Sequence, residues 1–276
     1  MTAGLILTTP TIEALAALAL EAGAVVMCHF GQCDTEWKAD GSPVTIADRE
    51  AEALIVARLS AILPLPVISE EAAADGLIPD ISGRFVLVDA LDGTKEFVAR
   101  TDQFTVNIGI VEASQPIAGI VYAPALETLW LAANGRAETM SIVPGAPLSA
   151  ARNRRSIRVR RAPESGLLAV ASLRHSSAET DAFLARLPPH QRLAAGSSVK
   201  FCRLAEGAAD VYPRFTPTME WDTAAGDAIL RAAGGAVLAP DGTAFVYGKR
   251  AANFANGGFV AAGDAAWLAT LLQARG

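Results

Sequence analysis

Phe85-Val86-Leu87-Val88-Asp89-Ala90-Leu91-Asp92-Gly93-Thr94-Lys95-Glu96-Phe97 runs apolar, mostly β-favouring residues straight into two carboxylates, a glycine and a threonine. Such a run reads as a buried strand, Phe85 to Val88, that delivers acids to a turn at its C-terminal edge. Open α/β sheets place their chemistry at that edge. Asp89 and Asp92 on one turn can face a single cation, with the Leu91 backbone carbonyl between them as a third oxygen. Hard Mg²⁺ takes oxygen ligands of this kind and commonly keeps waters and a substrate phosphate. Gly93 lets backbone come close to a phosphate, and the Gly93 and Thr94 N–H groups would point at it if a helix begins there. The pattern suits metal-assisted phosphoester hydrolysis. Phosphatases that use an aspartyl nucleophile place one residue between their two aspartates. Here Ala90 and Leu91 intervene, so direct attack by water fits better than an aspartyl-phosphate.

Upstream, Ile12 to Phe30 reads as an apolar core helix with Thr9 as N-cap and Pro10 at its first position. Glu13 and Glu21 interrupt it, so no segment offers the roughly 18 apolar, uncharged residues of a membrane span. The N-terminus lacks the basic stretch of an export signal. From Thr45 the pattern turns helical, with Ala51, Leu54, Ile55, Leu59 and Ile62 on one face, until Pro64 and Pro66 stop it. Asp48 falls in its first turn, where the helix dipole alone would favour a carboxylate. Pro66 to Glu71 reads as a short strand ending in Glu70 and Glu71, a pair equally at home on a solvated strand end.

Downstream, Phe104–Glu112, Ile117–Tyr122 and Thr128–Ala132 suggest an antiparallel meander. Pro144 to Pro147 reads as a linker, and six arginines lie between Arg152 and Arg161. That run suits a solvated edge strand protected by charge better than a phosphate site. Leu167–Ala171 and Ala209–Tyr212 read as strands. Gly196 to Gly207 reads as a helix with a serine at its start and Gly207 as its stop, and Glu220 to Gly234-Gly235 as another, with Asp222 in the N-cap role.

The 276 residues carry 51% hydrophobic and 19% charged side chains, enough for a large core and against disorder. A net charge of −6 disfavours a nucleic-acid polymer or an anionic membrane as partner. The three cysteines lack metal-ligand spacing, which fits reduced thiols in the cytoplasm and disfavours zinc. At most, a peripheral place at the inner membrane is compatible with these features.

Ser42-Pro43-Val44-Thr45-Ile46-Ala47-Asp48, Ser69-Glu70-Glu71, Asp89-Ala90-Leu91-Asp92-Gly93-Thr94 and Trp221-Asp222-Thr223-Ala224-Ala225-Gly226 resemble, in order, the motifs of the inositol monophosphatase superfamily. Lys95-Glu96-Phe97, Phe104 to Ile108, Gly196 to Cys202 and Tyr212 to Phe215 resemble its 3′(2′),5′-bisphosphate nucleotidase branch more than inositol monophosphatases. The resemblance implies a layered αβαβα sandwich of α/β class. Its α+β first half would run to residue 150 and carry an antiparallel sheet. An α/β second half, residues 151–276, would supply Asp222 and substrate contacts.

By the same resemblance two or three Mg²⁺ ions would be held by Glu70, Asp89, the Leu91 carbonyl, Asp92 and Asp222. Glu70 and Thr94 would position the attacking water, and Asp48 would assist a more weakly held metal or its water. Gly93 and Thr94 would receive the phosphate, with Lys200, Gly196, Ser197 and Ser198 near the rest of the substrate. His175 would sit where that branch has a Ser-Arg-Ser-His-like element. The implied reaction removes the 3′-phosphate of adenosine 3′,5′-bisphosphate; the alternative is an inositol or sugar monophosphatase. A homodimer is also implied. The superfamily has proline where this chain has Ala90.

Overall fold

The computed structural model describes residues 7–32, 35–37, 41, 43–171 and 177–273. The first third holds α1 (Thr9–His29), β1 (Thr35–Trp37), β2 (Pro43–Thr45), α2 (Ile46–Ile62), β3 (Val67–Ser69), α3 (Glu70–Ala74), β4 (Phe85–Asp92) and α4 (Thr94–Val98). The meander follows: β5 (Thr105–Glu112), β6 (Gln115–Ala123), β7 (Thr128–Ala133), β8 (Arg136–Ser141) and β9 (Arg152–Ser156). Then come β10 (Leu167–Ala171), α5 (Ala178–Leu184), β11 (His190–Ala194), α6 (Val199–Ala205), β12 (Val211–Arg214), β13 (Thr218–Met219) and α7 (Glu220–Ala232). The chain closes with β14 (Ala236–Leu238), β15 (Ala255–Asn256), β16 (Phe259–Ala262) and α8 (Ala265–Gln273).

Strands β3 to β9 form one seven-stranded sheet in chain order, parallel only between β3 and β4. Its two faces are separated by the period of two. Val86, Val88, Ile108, Ile120 and Tyr122 pack with α1 and α2. Leu87, Val111, Val121 and Trp130 face the other way, into a cluster with Phe201 of α6 and Ala224, Ala225 and Ile229 of α7. Burial on both faces explains why β4 reads as an unbroken apolar run. The second sheet, in the order β11-β10-β12-β16-β14, gives Tyr212 and Phe259 to that middle cluster. Its outer face, with Ala169, Val211 and Val260, packs against Phe183 of α5 and Leu268 of α8. The five layers are therefore helix, sheet, helix, sheet, helix, as the resemblance implied.

Glycines set how close the middle layer comes. A Cβ on Gly109 of β5 would stand 2.8 Å from Ala224 Cβ, and one on Gly119 of β6 would stand inside the Ala225 backbone. Helix α7 thus lies directly on the backbone of the first sheet.

Several boundaries differ from the sequence reading. Helix α1 is capped by Thr8, whose Oγ1 accepts the Thr11 N–H at 3.3 Å, one residue before Thr9. Either threonine can cap, and Pro10 fits the second helical position because its missing N–H is still one the helix leaves unpaired. Among the described residues α1 alone is long and apolar enough to cross a membrane; Leu15, Leu18 and Val26 are buried against the sheet. Strand β4 continues to Asp92 rather than ending at Val88. Asp222 is not the N-cap of α7: Met219 holds that position and Asp222 lies three residues on. Strand β9 is the exposed edge of the first sheet, where Arg154 donates to Glu138 at 2.8 Å, in keeping with a charged edge.

Candidate active site

The pairing of β4 with β5 decides where the acids point. Asp89 sits opposite Asn107 and Asp92 opposite Thr105, so three steps on β4 match two on β5. The extra residue makes a β-bulge, and the Leu91 N–H turns in to donate to Asp89 Oδ1 at 2.9 Å. In a regular strand two residues three apart face opposite sides; the bulge cancels that alternation. Asp89 and Asp92 consequently line one pocket with the Leu91 residue between them.

Gly93 follows with φ +96°, and a Cβ there would meet the Gln103 carbonyl oxygen at 3.1 Å. Only glycine turns the chain from β4 into α4 at this point. Thr94 opens α4, and its hydroxyl lies 2.9 Å from Asp48 Oδ1 and 3.1 Å from the Leu91 carbonyl. Asp48 is buried at the third position of α2. Its Oδ2 accepts the N–H and hydroxyl of Thr45 at 2.8 and 2.7 Å. Asp48 reaches the pocket only through Thr94.

Glu70 is the first residue of α3, whose start is held from below by Glu52. That buried carboxylate accepts the Ser69 hydroxyl at 2.8 Å and the Glu71 and Ala72 N–H groups at 2.9 Å. From the far side of the pocket comes Asp222, whose Oδ2 accepts the Met219 N–H at 2.9 Å and the Thr218 hydroxyl. One carboxylate oxygen from each of Glu70, Asp89 and Asp222 lies within 4.8 Å of the others. Asp92 borders this cluster.

Electrostatics mark the cluster as short of positive charge. Burial and then the neighbouring charges of Glu70, Asp92 and Asp222 push the Asp89 carboxyl well above its usual range. Burial and Asp222 raise Asp92 to about 6, against the opposing pull of Lys200 and Arg214. Asp48 is raised by burial, although its hydrogen bonds from Thr45 and Thr94 oppose the shift. Buried carboxylates that repel one another need protons or a cation. An all-oxygen donor set with a backbone carbonyl beside it fits a hard divalent metal.

Donors line the same pocket. Lys200 is 4% exposed, with Nζ 5.3 Å from the centre of the Tyr212 ring. Arg214 Nη2 donates to the Pro217 carbonyl at 3.1 Å, while its Nε has no hydrogen-bond partner. Among the described residues neither cation has a carboxylate within ion-pair distance. Ser197, at φ +43°, and Trp221 also line the pocket with a buried Oγ and Nε1 that lack partners. Gly196 donates its N–H to Gln103, which staples this wall to the loop before β5.

Glu70, Asp89, Leu91, Asp92, Gly93, Thr94, Gly196, Ser197, Lys200 and Asp222 thus share one pocket of about 350 Å³. Ser198 does not line it. Its hydroxyl donates to the Asp222 carbonyl at 2.7 Å and accepts from Asn107 Nδ2 at 3.1 Å, tying α6 and α7 to β5. His175 and Ser42 lie outside the described residues. Sequence reasoning passed over Glu52, Asn107 and Arg214. Asn107 and Arg214 stood in quoted motifs, but nothing local distinguishes their side chains from those of any other strand asparagine or strand-end arginine.

Comparison with known proteins gives the same frame. The CysQ 3′(2′),5′-bisphosphate nucleotidase of Salmonella typhimurium is 41% identical over 254 residues, covering 90% of this chain and 98% of that protein. The crystal structure of CysQ from Bacteroides thetaiotaomicron superposes with a TM-score of 0.76 at 34% identity, over 92% of this chain and 97% of that one. The Thermotoga maritima IMPase shares the fold with a TM-score of 0.75 at 23% identity, over 96% of this chain and 98% of that one. The inositol monophosphatase family model matches residues 8–275, and the chain belongs to that family.

Proposed function

We propose that this chain is a Mg²⁺-dependent phosphomonoester hydrolase that removes the 3′-phosphate of adenosine 3′,5′-bisphosphate, giving AMP and phosphate. The observation that carries the reading is a single pocket that holds both a cluster of carboxylates and a set of unpaired donors. Glu70, Asp89 and Asp222 converge in it, Arg214, Ser197 and Trp221 bring buried donors that have no partner, and Lys200 adds a buried cation. A monoester with a second anionic group spans such a pocket. The CysQ relatives are named for this class of substrate.

Two or three Mg²⁺ ions would be held by Glu70, Asp89, the Leu91 carbonyl, Asp92 and Asp222. When bound, they supply charge to the phosphate oxygens and acidify a water. The chain's own groups do the rest. The Thr94 hydroxyl has a single proton, and donation to Asp48 Oδ1 leaves its lone pairs to accept from the attacking water. Asp48 stays fixed because Thr45 occupies its other oxygen. Glu70 faces the same water from α3. The N–H groups that open α4 at Gly93 and Thr94 receive the phosphate. Lys200, Gly196 and Ser197 hold the remainder of the substrate, with Ser198 acting behind them through Asn107 and Asp222. A division near residue 150 separates the acid-bearing half from the half that brings Asp222, though β9 still pairs with β8 in the first sheet.

The test is phosphate release by purified protein with Mg²⁺ from adenosine 3′,5′-bisphosphate, inositol 1-phosphate and fructose 1,6-bisphosphate, compared as kcat/KM. The nucleotide is expected to lead. No release from it, or faster turnover of either sugar phosphate, overturns the assignment. Asp92→Asn is expected to fold but to lose Mg²⁺-dependent turnover.

A further inference from the structure

Tyr212 meets both cations of the pocket from behind, without lining it itself. It lies on β12 two residues before Arg214, and residues two apart on a strand share a face. That face is the inner one. Tyr212 belongs to the cluster between the two sheets, while Val211 packs into the outer layer.

The Tyr212 ring is clamped. Phe201 and Phe259 meet it edge-on, with centroids 5.3 and 5.2 Å away and planes at 77° and 88°. Such perpendicular contacts are a favoured aromatic arrangement and fix the plane of the ring. Phe201 is held in turn by α7, where a Cβ on Gly226 would stand 2.6 Å from its side chain. Beside Phe201 on α6 stands Lys200, whose buried Nζ lies 5.3 Å from the centre of the Tyr212 ring. The hydroxyl at the other end of the same side chain meets the Arg214 guanidinium. Burial works against the charge of Arg214, but the Tyr212 hydroxyl, with Asp222 and Asp92 beyond it, outweighs burial and keeps the guanidinium above its ordinary pKa.

Elsewhere in the fold a buried cation is placed by a carboxylate, as Asp227 places Arg231 at 2.6 Å. A carboxylate fixes a cation and also cancels its charge. A ring face and a neutral hydroxyl attract a cation without carrying a formal charge, so the cation stays available to an incoming anion. We propose that Tyr212 is a positioning residue that holds Lys200 and Arg214 in place, still charged, for the second anionic group of the substrate. The assignment rests on the nucleotide reading above and adds to it the side chain that sets this second contact.

The experiment compares wild type, Tyr212→Phe and Tyr212→Leu at saturating Mg²⁺ on adenosine 3′,5′-bisphosphate and adenosine 3′-phosphate. The two substrates share the base and the scissile group and differ only in the second phosphate. Wild type is expected to have the lower KM for the bisphosphate. Tyr212→Phe keeps the ring under Lys200 and loses the hydroxyl at Arg214, and is expected to raise that KM about 5- to 10-fold. Tyr212→Leu also loses the ring and is expected to raise it about 30-fold. In both variants kcat, and the KM for the 3′-phosphate, should stay within about twofold of wild type. Tyr212→Phe differs by one oxygen atom and keeps every ring contact, so it carries the test even if Tyr212→Leu does not fold. An unchanged bisphosphate KM in Tyr212→Phe overturns the proposal and leaves the nucleotidase reading intact. Equal losses on the two substrates do the same, because Tyr212 then serves the core and not the cations. Wild type that handles the two substrates alike, or releases phosphate from neither, overturns the nucleotide reading and this role together.

Discussion

Helices α2 and α7 start in the same way and end up serving different chemistry. Each has an aspartate three residues past its N-cap, Asp48 after Thr45 and Asp222 after Met219. Each aspartate turns Oδ2 back onto the N-cap N–H, at 2.8 and 2.9 Å, and accepts a threonine hydroxyl there, from Thr45 or Thr218. The capping bonds fix the rotamer and occupy one oxygen. What the other oxygen meets depends on the layer that carries the helix. Helix α2 lies on the outer face of the first sheet, so Asp48 reaches only the Thr94 hydroxyl. Helix α7 lies between the sheets, so Asp222 joins Glu70 and Asp89. A local motif can aim a carboxylate; the packing of its helix decides what it is aimed at.

The most direct way to break this comparison is to remove one charge from each helix start. Asp222→Asn is expected to lower kcat/KM on the order of 1000-fold, since it takes a charge from a cluster whose task is electrostatic. Asp48→Asn is expected to cost only about tenfold, because it acts through another side chain. Both should lose a similar, small stability of about 1 kcal/mol in denaturant unfolding, the value of one cap interaction. Equal kinetic losses would erase the distinction between the two acids. Next in size, Thr94→Ala is expected to reduce kcat about 100-fold, in the range of proton-handling groups, while Thr94→Ser keeps most activity. A full loss in Thr94→Ser would show that the methyl group, not the hydroxyl, matters.

A pH series sharpens the same contrast. Asp89 and Asp92 have folded-state pKa values raised by burial and by their acidic neighbours, Asp92 to about 6. Groups shifted upward stabilise the fold when protonated, so the metal-free protein should lose stability as pH rises from about 4 through 6. Mg²⁺ replaces those protons. The rise in Tm on adding Mg²⁺ should therefore be small at pH 5 and grow to several degrees by pH 7.5. Asp222→Asn should move this midpoint to lower pH, and Asp48→Asn should leave it in place. The smallest expected effect belongs to the bulge. Ala90→Pro should raise stability by about 0.4–1 kcal/mol and lower the Mg²⁺ concentration needed for half activity, by restricting the unfolded chain. A loss of stability would show that the bulge needs the Ala90 N–H or another φ.

How much of this could be read from the chain follows the same line between local and tertiary. The run from Phe85 to Thr94 declared its strand, its acids and its glycine, because each is a matter of neighbouring residues. Helix α2 and the meander strands β5 to β7 were equally plain from their periodicity, whereas β8 was not read. The bulge was not, since Asp89 and Asp92 look the same on a turn as on a strand whose partner is one residue short. Asp222 read as an N-cap because its true distance from the helix start rests on Met219, a residue with no capping signature. Asn107 and Arg214 stood inside motifs of the resemblance, but neither they nor Glu52 carried a local sign of what their side chains would meet. Their roles arise where α2, β5 and β12 meet other elements.

The contact of Gly109 and Gly119 with Ala224 and Ala225 has a consequence for protein engineering. Glycine-to-alanine exchange is a common route to thermostability where the backbone allows it, and Gly257, with open space around it and no left-handed φ, is such a position. Along this seam the added methyl would instead lift α7 off the sheet and carry Asp222 away from Glu70 and Asp89. A deep mutational scan scored for turnover should therefore show a stripe of intolerance through two strands that hold no reacting group. In this stripe the missing atoms set the reach of the acid, and any substitution there is read out as lost chemistry before it is read out as lost folding.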